Sequence, residues 1–348
     1  MKIGICCNKL AHSGGMERYT LDLIEYLVSQ GHELTVYAKK ADLTLPIASK
    51  IKVVVKCFKF YPQKLKDYAF SSFLRKEFLK EKFDITLGCS RNDATDVILC
   101  GGTHLGFVEN VKKKADIFDK LVIRLERSEF YKAKLIVAHS KLIASEIIDL
   151  YGIDKSKVCV IYPPTQSLKF RGATKEEQNK LREYYKLPKS KVLFLFPSSS
   201  HERKGYKLLS NVFSKSSSNI ELIVAGKPIK DKLDNVRYIG YVKDIEKLYR
   251  ACDYAILGSL YEPFGLVAIE SVLSGRASLM ADNIGCCEVI KDSALVKFKH
   301  NEESLKAAID KVLKEPIVLK EPFIQYLNTD LSVKAHVELL MNKINSLK

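Results

Sequence analysis

The chain has 348 residues, 47% of them apolar, with 57 basic against 41 acidic side chains and a net charge of +16. That length suggests two domains with a core each, and no run of about 18 apolar residues occurs, so no membrane-spanning helix is expected. Nine cysteines without a CxxC or metal-finger spacing argue for reduced thiols in place of disulfides or a zinc site. The start, MKIGICCNKLAHSGG, lacks the pattern of a secretion signal. Positive charge falls in both halves, so it favours anionic partners generally and marks neither half as a nucleic-acid arm.

In chain order, short apolar runs alternate with helical patterns. Residues 3–7, 33–37, 51–55, 85–88, 97–100 and 135–138 read as strands, and 16–29, 65–82 and 141–150 carry helical spacing. Two adjacent prolines in Ile161-Tyr162-Pro163-Pro164-Thr165 can continue neither a central strand nor a helix and mark a boundary. The pattern then restarts, with strands at 192–196, 220–225, 236–239, 254–257, 277–280 and 295–298 and helices at 207–216, 245–251 and 266–274. A helix over 331–345 follows. The simplest account is α/β: two doubly wound, parallel-sheet, Rossmann-like domains in tandem, residues 1–164 and 165–330.

In such sheets ligands bind at the carboxyl ends of strands. The first strand runs into a loop with Gly14-Gly15 just before a helix carrying Arg18, which permits close backbone approach and favours an anion, although a plain turn and N-cap would look the same. His104 follows the strand at 97–100 and is otherwise an ordinary polar loop residue. Pro197–Gly205, PSSSHERKG, follows the first strand of the second domain and holds Arg203 and Lys204, a phosphate clamp or a solvated charged turn. Gly226 and Tyr241-Val242 end the next two strands. Finally, GSLYEPFGLVAIESVLSG places Glu262 before a short buried helix and Glu270 about one turn into it. The first amides of that helix, near Phe264, Gly265 and Leu266, lie under the positive end of its dipole, a natural diphosphate site between two hydroxyl-binding carboxylates. Taken alone, the two glutamates also fit surface and capping roles.

The Glu262–Glu270 spacing resembles the E-x7-E motif of the retaining glycosyltransferases of family 4, which have the GT-B fold, and the other segments stand in that family's order over nearly the whole chain. The resemblance implies transfer of a sugar, as a hexose, from a nucleotide diphosphate sugar across an interdomain cleft. The first domain would bind the acceptor, with residues 331–348 returning to it, and the second would bind the donor. Glu262 would hold donor-sugar hydroxyls, Glu270 the ribose, Tyr241 and Val242 the base edge, and Gly15 the diphosphate. His104 would orient the sugar or ease positive charge at the anomeric carbon. Lys204 matches the family lysine that grips the leaving diphosphate; the usual arginine is replaced by Ser198, with Arg203 as its natural substitute. No DxD occurs, so metal-independent transfer without a cofactor is implied, a UDP-sugar being the leaning.

The stretch RLERSEFYKAKLIVAHSKLIASEI is similar to the lipopolysaccharide core glucosyltransferases, which implies a bacterial surface glycan or glycolipid acceptor at the inner face of the cytoplasmic membrane. Basic and aromatic residues interleaved over 58–82 and 104–134 suit peripheral contact with anionic lipid; the same aromatics could instead pack on the first sheet. Other readings of the chain are a nucleotide-sugar epimerase or phosphorylase of the same architecture and a non-catalytic nucleic-acid- or membrane-binding protein. No nucleic-acid partner is expected, since no RNA module is present.

Overall fold

The computed structural model describes residues 1–166 and 169–347; residue 348, the end of the expected last segment, lies outside them. Two compact units are present, Met1–Pro164 with Leu331–Lys348, and Thr165–Asp330.

The first unit runs β1 (Lys2–Leu10), α1 (Gly15–Ser29), β2 (Glu33–Ala41), β3 (Lys52–Val55), α2 (Lys66–Lys80), β4 (Ile85–Gly88), β5 (Val97–Cys100), α3 (His104–Asn110), α4 (Ile117–Lys132), β6 (Leu135–Ala138), α5 (Lys141–Ser145) and β7 (Val158–Val160). Its sheet is seven-stranded and parallel, in the order β3-β2-β1-β4-β5-β6-β7. Strands β4, β5 and β6 are buried along their whole length, which is why they are continuous apolar runs rather than alternating ones. Helix α1 lays Tyr19, Leu23, Ile24 and Leu27 on one sheet face. The expected helix at 141–150 divides: α5 gives way to a wider turn over Glu146–Leu150, at the point where the Glu146 carboxylate accepts a hydrogen bond from the Thr103 hydroxyl.

The aromatic residues of 58–82 split between interior and surface. Phe58 and Phe70 are buried with Tyr37 on the other face of the sheet, and Phe73 and Phe78 pack against them. Phe60 and Tyr61 are exposed. Most of that segment therefore serves the core.

The second unit runs α6 (Lys175–Tyr184), β8 (Val192–Ser198), α7 (Tyr206–Ser214), β9 (Ile220–Gly226), β10 (Val236–Gly240), α8 (Ile245–Ala251), β11 (Tyr254–Leu257), α9 (Leu266–Leu273), β12 (Ser278–Ala281), β13 (Leu295–Phe298) and α10 (Glu302–Lys314). Its parallel sheet has the order β10-β9-β8-β11-β12-β13. Helix α11 (Val333–Asn345) belongs to the first unit, where Val337, Leu340 and Ile344 join the core under α1.

The junction of α1 and α11 is partly polar. The buried hydroxyl of Tyr19 lies 2.8 Å from His336 Nε2, and His336 Nδ1 lies 2.8 Å from the Tyr162 carbonyl. His139, also buried, stacks edge-on against Tyr19, and its Nε2 has no hydrogen-bond partner among the described residues. Burial, with each imidazole opposing charge on its neighbour, lowers His139 to about 3. Burial likewise lowers His336 to about 4. In the unfolded chain both would bind protons near pH 6.5, so between that value and the folded pKa values the unfolded state holds more protons. Stability is therefore lost as the pH falls below about 6.5. Chemical denaturation should show the unfolding free energy dropping by roughly 2 kcal/mol per histidine between about pH 6.5 and 5. His139→Gln should remove its share of that slope, and an unchanged slope would show that His139 titrates alike folded and unfolded.

Candidate functional site

Strand order reverses direction of growth at one place in each sheet, between β1 and β4 in the first and between β8 and β11 in the second. Loops leaving the carboxyl ends of two such strands diverge, and the crevice between them takes the ligand in doubly wound folds. In the second unit those loops are Ser199–Gly205, after β8, and Gly258–Gly265, after β11.

The two loops touch through glycine. Gly205 caps α7 with φ +81°, and a Cβ placed on it would stand 1.8 Å from the Gly258 carbonyl oxygen. Beside that contact the Leu260 amide donates to the Arg203 carbonyl at 3.0 Å. Arg203 Nη1 donates to Glu262 Oε2 and to the Tyr261 carbonyl, each at 2.9 Å. The Glu262 segment is pinned from its other side as well: Glu262 bridges to Ile284, and the amides of Gly285 and Cys286 donate to the carbonyls of Glu262 and Phe264. Cys286 is buried there, a packing role.

Helix α9 then starts at Leu266 with Gly265, a residue without a side chain, as its N-cap. Phe264 is buried beneath this turn. Glu270 lies one turn in, and its Oε2 accepts a hydrogen bond from the buried Tyr249 hydroxyl at 2.9 Å.

Lys204 lines a pocket of about 420 Å³ together with Ser198, Gly226, Tyr241 and Val242. Its ammonium donates to the Pro197 carbonyl at 3.1 Å. Burial lowers its pKa, a fall opposed by the charges of Glu262 and Glu270. Tyr241 is exposed and stands at the rim.

In the first unit, Gly14 is the N-cap and Gly15 the first residue of α1, with Arg18 in its opening turn. The loop after β5 lies against that turn: a Cβ on Gly101 would come within 3.0 Å of Met16 Sδ. His104 is not a loop residue but the first of α3, with Thr103 as N-cap accepting from the Gly106 amide. Each unit thus collects its own expected residues at the carboxyl edge of its sheet.

Two family models cover most of the chain. The one described as Glycosyltransferase Family 4 matches residues 13–166, and the one described as Glycosyl transferases group 1 matches residues 177–328. A protein of Burkholderia thailandensis named "Probable transglycosylase" is 36% identical over 352 residues, a match spanning 98% of this chain and 96% of the relative. The chain belongs to the family 4 glycosyltransferases. Among solved structures, WaaG, a glycosyltransferase involved in lipopolysaccharide biosynthesis, is similar in fold with a TM-score of 0.77 at 16% identity, over 90% of each chain. HepE of Anabaena, solved in complex with UDP, aligns with a TM-score of 0.74 at 16% identity, over 99% of this chain and 100% of that one. The transferase therefore has the GT-B fold.

Several residues around the site escaped the sequence reading. Tyr249, which holds Glu270, sits in α8 with no motif to announce it. His201 joins two walls of the pocket, with Nδ1 2.9 Å from Ser198 Oγ and Nε2 2.8 Å from the Lys227 carbonyl; its place inside PSSSHERKG was the available signal. Asp119 and Glu126, which hold His104, lie in α4.

Gly205 gives a sharp test of the loop contact in the transferase. Gly205→Ala adds both left-handed backbone strain and a clash with main-chain oxygen that no rotamer can relieve, and should cost on the order of 3 kcal/mol in urea unfolding. A loss near zero would show that the two loops separate freely.

Proposed function

We propose that this glycosyltransferase moves a hexose, with retention of anomeric configuration, from a UDP-sugar to a hydroxyl of a bacterial surface glycan or glycolipid. The observation that carries the reading is the pocket around Lys204, at the carboxyl ends of β8 and β9, whose lysine feels the charges of Glu262 and Glu270. A diphosphate on Lys204 and the first amides of α9 would sit where both cation and helix dipole favour it. UDP as nucleotide draws support from HepE, whose structures hold UDP and UDP-glucose. The glycan acceptor draws support from WaaG and its part in lipopolysaccharide biosynthesis.

In this reading Gly226, Tyr241 and Val242 border the base, and Glu270, held by Tyr249, takes the ribose hydroxyls. Glu262, held by Arg203, takes hydroxyls of the sugar. Arg203 makes both of its hydrogen bonds through Nη1, so its other nitrogens can turn to the diphosphate. From the first unit, Gly14 and Gly15 serve the donor diphosphate, His104 meets the donor sugar, and Arg18 meets the acceptor. The bond between the anomeric carbon and the phosphate oxygen breaks, the acceptor oxygen bonds to that carbon on the same face, and its proton passes to the departing phosphate. Without a DxD motif, charge on that phosphate is met by Lys204 and backbone amides rather than a divalent cation.

We also propose that the first unit rests on an anionic bilayer. Ile117 and Phe118 at the start of α4 are exposed, as are Phe60 and Tyr61 just before α2. A hydrogen bond from the Tyr68 hydroxyl to the Leu121 carbonyl brings the two helix starts together. Exposed Lys59, Lys112, Lys114, Lys120 and Arg124 lie in the same segments.

Calorimetry with UDP-glucose, UDP-galactose, UDP-GlcNAc and GDP-mannose should find one donor bound by the wild type and none by Glu270→Ala. Lys204→Ala should lower turnover by about 10²–10³-fold; near-normal turnover would refute the phosphate clamp. In co-sedimentation with phosphatidylglycerol vesicles, Ile117→Ser with Phe118→Ser should weaken binding several-fold. Salt should weaken it too. Undiminished binding by the double variant would move the membrane surface elsewhere.

A further inference from the structure

His104 is held from two directions. Its backbone N–H donates to the buried Glu126 carboxylate, 2.9 Å to Oε2 and 3.2 Å to Oε1. Glu126 also receives Arg91, through Nε at 2.9 Å and Nη2 at 2.6 Å, and the hydroxyl of Tyr151. Tyr151 in turn accepts the Leu105 amide at 3.1 Å. A buried, neutralised polar cluster thus fixes where α3 begins and which way the first residue faces.

The ring is held separately. His104 Nε2 lies 2.9 Å from Asp119 Oδ1. Asp119 belongs to the capping box of α4. Its other oxygen accepts from Lys113 Nζ at 2.7 Å and from the Asp116 amide at 2.9 Å. Lys113 first, then the Asp116 amide, with the His104 bond adding to them, hold this carboxylate well below the usual range. An ionised carboxylate only accepts, so the facing ring nitrogen must donate. The neutral ring is then protonated on Nε2, and Nδ1 carries the lone pair. Nδ1 makes no hydrogen bond among the described residues, and the side chain is 22% exposed.

We propose that Asp119 is a positioning residue of the transfer reaction. It fixes the His104 ring and its tautomer, so that Nδ1 stands ready to accept a hydrogen bond from a sugar hydroxyl. The inference rests on the reading that His104 meets the donor sugar. Nothing about the sequence neighbourhood of Asp119 suggests such a role, because it lies 15 residues along the chain in a different helix. The logic is that of a carboxylate selecting the working tautomer of an imidazole.

Asp119→Asn separates this role from helix capping. Lys113 still demands an acceptor, so the new carboxamide keeps its oxygen toward Lys113 and turns its NH₂ toward His104. The ring must then accept at Nε2 and carry its proton on Nδ1. Ring ¹⁵N shifts of His104 in the full-length protein, taken near pH 8 where a free imidazole is neutral, should report the Nε2–H form in the wild type and the Nδ1–H form in Asp119→Asn. Release of UDP from UDP-glucose, or from whichever donor calorimetry identifies, should fall by about tenfold or more in Asp119→Asn, chiefly in kcat. In the His104→Ala background the same substitution should cause no further loss.

A wild-type ring in the Nδ1–H form would overturn the proposal without any variant, even if Asp119→Asn failed to fold. Losses that multiply in the double variant would overturn it too, since they would mark Asp119 as purely structural. Full turnover in His104→Ala would instead refute the donor-site reading of His104 itself. Impaired His104→Ala beside fully active Asp119→Asn would refute the positioning role alone.

Discussion

The second unit depends on a main-chain contact that leaves no room for a side chain. Strands β8 and β11 are neighbours, yet the chain leaves them toward helices on different sides, so their loops cross where they part. Gly205 and Gly258 make that crossing, and the Leu260–Arg203 backbone hydrogen bond closes it. Three of the charged groups of the site hang from these two loops. Lys204 precedes the glycine by one residue and Arg203 by two, while Glu262 follows Gly258 by four. A backbone contact is stiffer than a surface ion pair, which is worth little in water. Here the Arg203–Glu262 bond is set by loops already locked together, so it loses little side-chain entropy in forming.

The first unit solves the same problem with buried charge. Asp119, Glu126, Glu129 and Glu146 are all buried. Burial pushes the Glu129 carboxyl well above the usual range, with Arg91 opposing the shift. Taking such groups from water is costly unless each finds partners. Arg91, Tyr151, Thr103 and backbone amides supply them. What this arrangement gains is a single orientation for the start of α3, which apolar packing would leave looser.

That difference also decides what the sequence could reveal. Strands β4, β5, β6 and β11 lie where their apolar runs predict, because burial on both faces writes an unbroken signal. The glycine-bearing loops and the paired glutamates carry local patterns, and they lie at or just after strand ends, where the sequence puts them. Helices α4 and α6 were not readable in this way. The buried positions of α4 include Asp119, Glu126 and Glu129, and those of α6 are Gln178 and Arg182. Polar residues on the inward face erase the 3.6-residue apolar stripe, so the pattern reads as solvated chain. Arg182 is fully buried because its guanidinium meets Asp253 at 2.7 Å and the Ala251 carbonyl, both from distant sequence, together with the carbonyls of Pro188, Lys189 and Lys191 just past its own helix. Helix α10, by contrast, carries Leu305, Ala308, Ile309 and Val312 at ordinary helical spacing, a pattern as legible as that of α1. The buried contacts of α4 are long-range, and they are the ones that hold His104.

Charge balance in the second-unit site argues for what should fill it. Arg203 and Lys204 face Glu262 and Glu270, two cations against two anions. Those four nearly cancel one another, while Lys227 beside the pocket and the net positive charge of the chain draw any anion alike. Selectivity must come from placement. Glu262 is committed to Arg203 and Glu270 to Tyr249, each carboxylate keeping acceptor capacity for hydroxyls. Lys204 is left with one backbone carbonyl and a burial penalty on its charge. A group that brings negative charge to Lys204 removes that penalty and gains the α9 amides at once. A group that brings only hydroxyls gains the carboxylates but leaves the lysine as it was. A molecule carrying both, with phosphates between two polyhydroxylated rings, satisfies every member of the set together, and neither half alone does so.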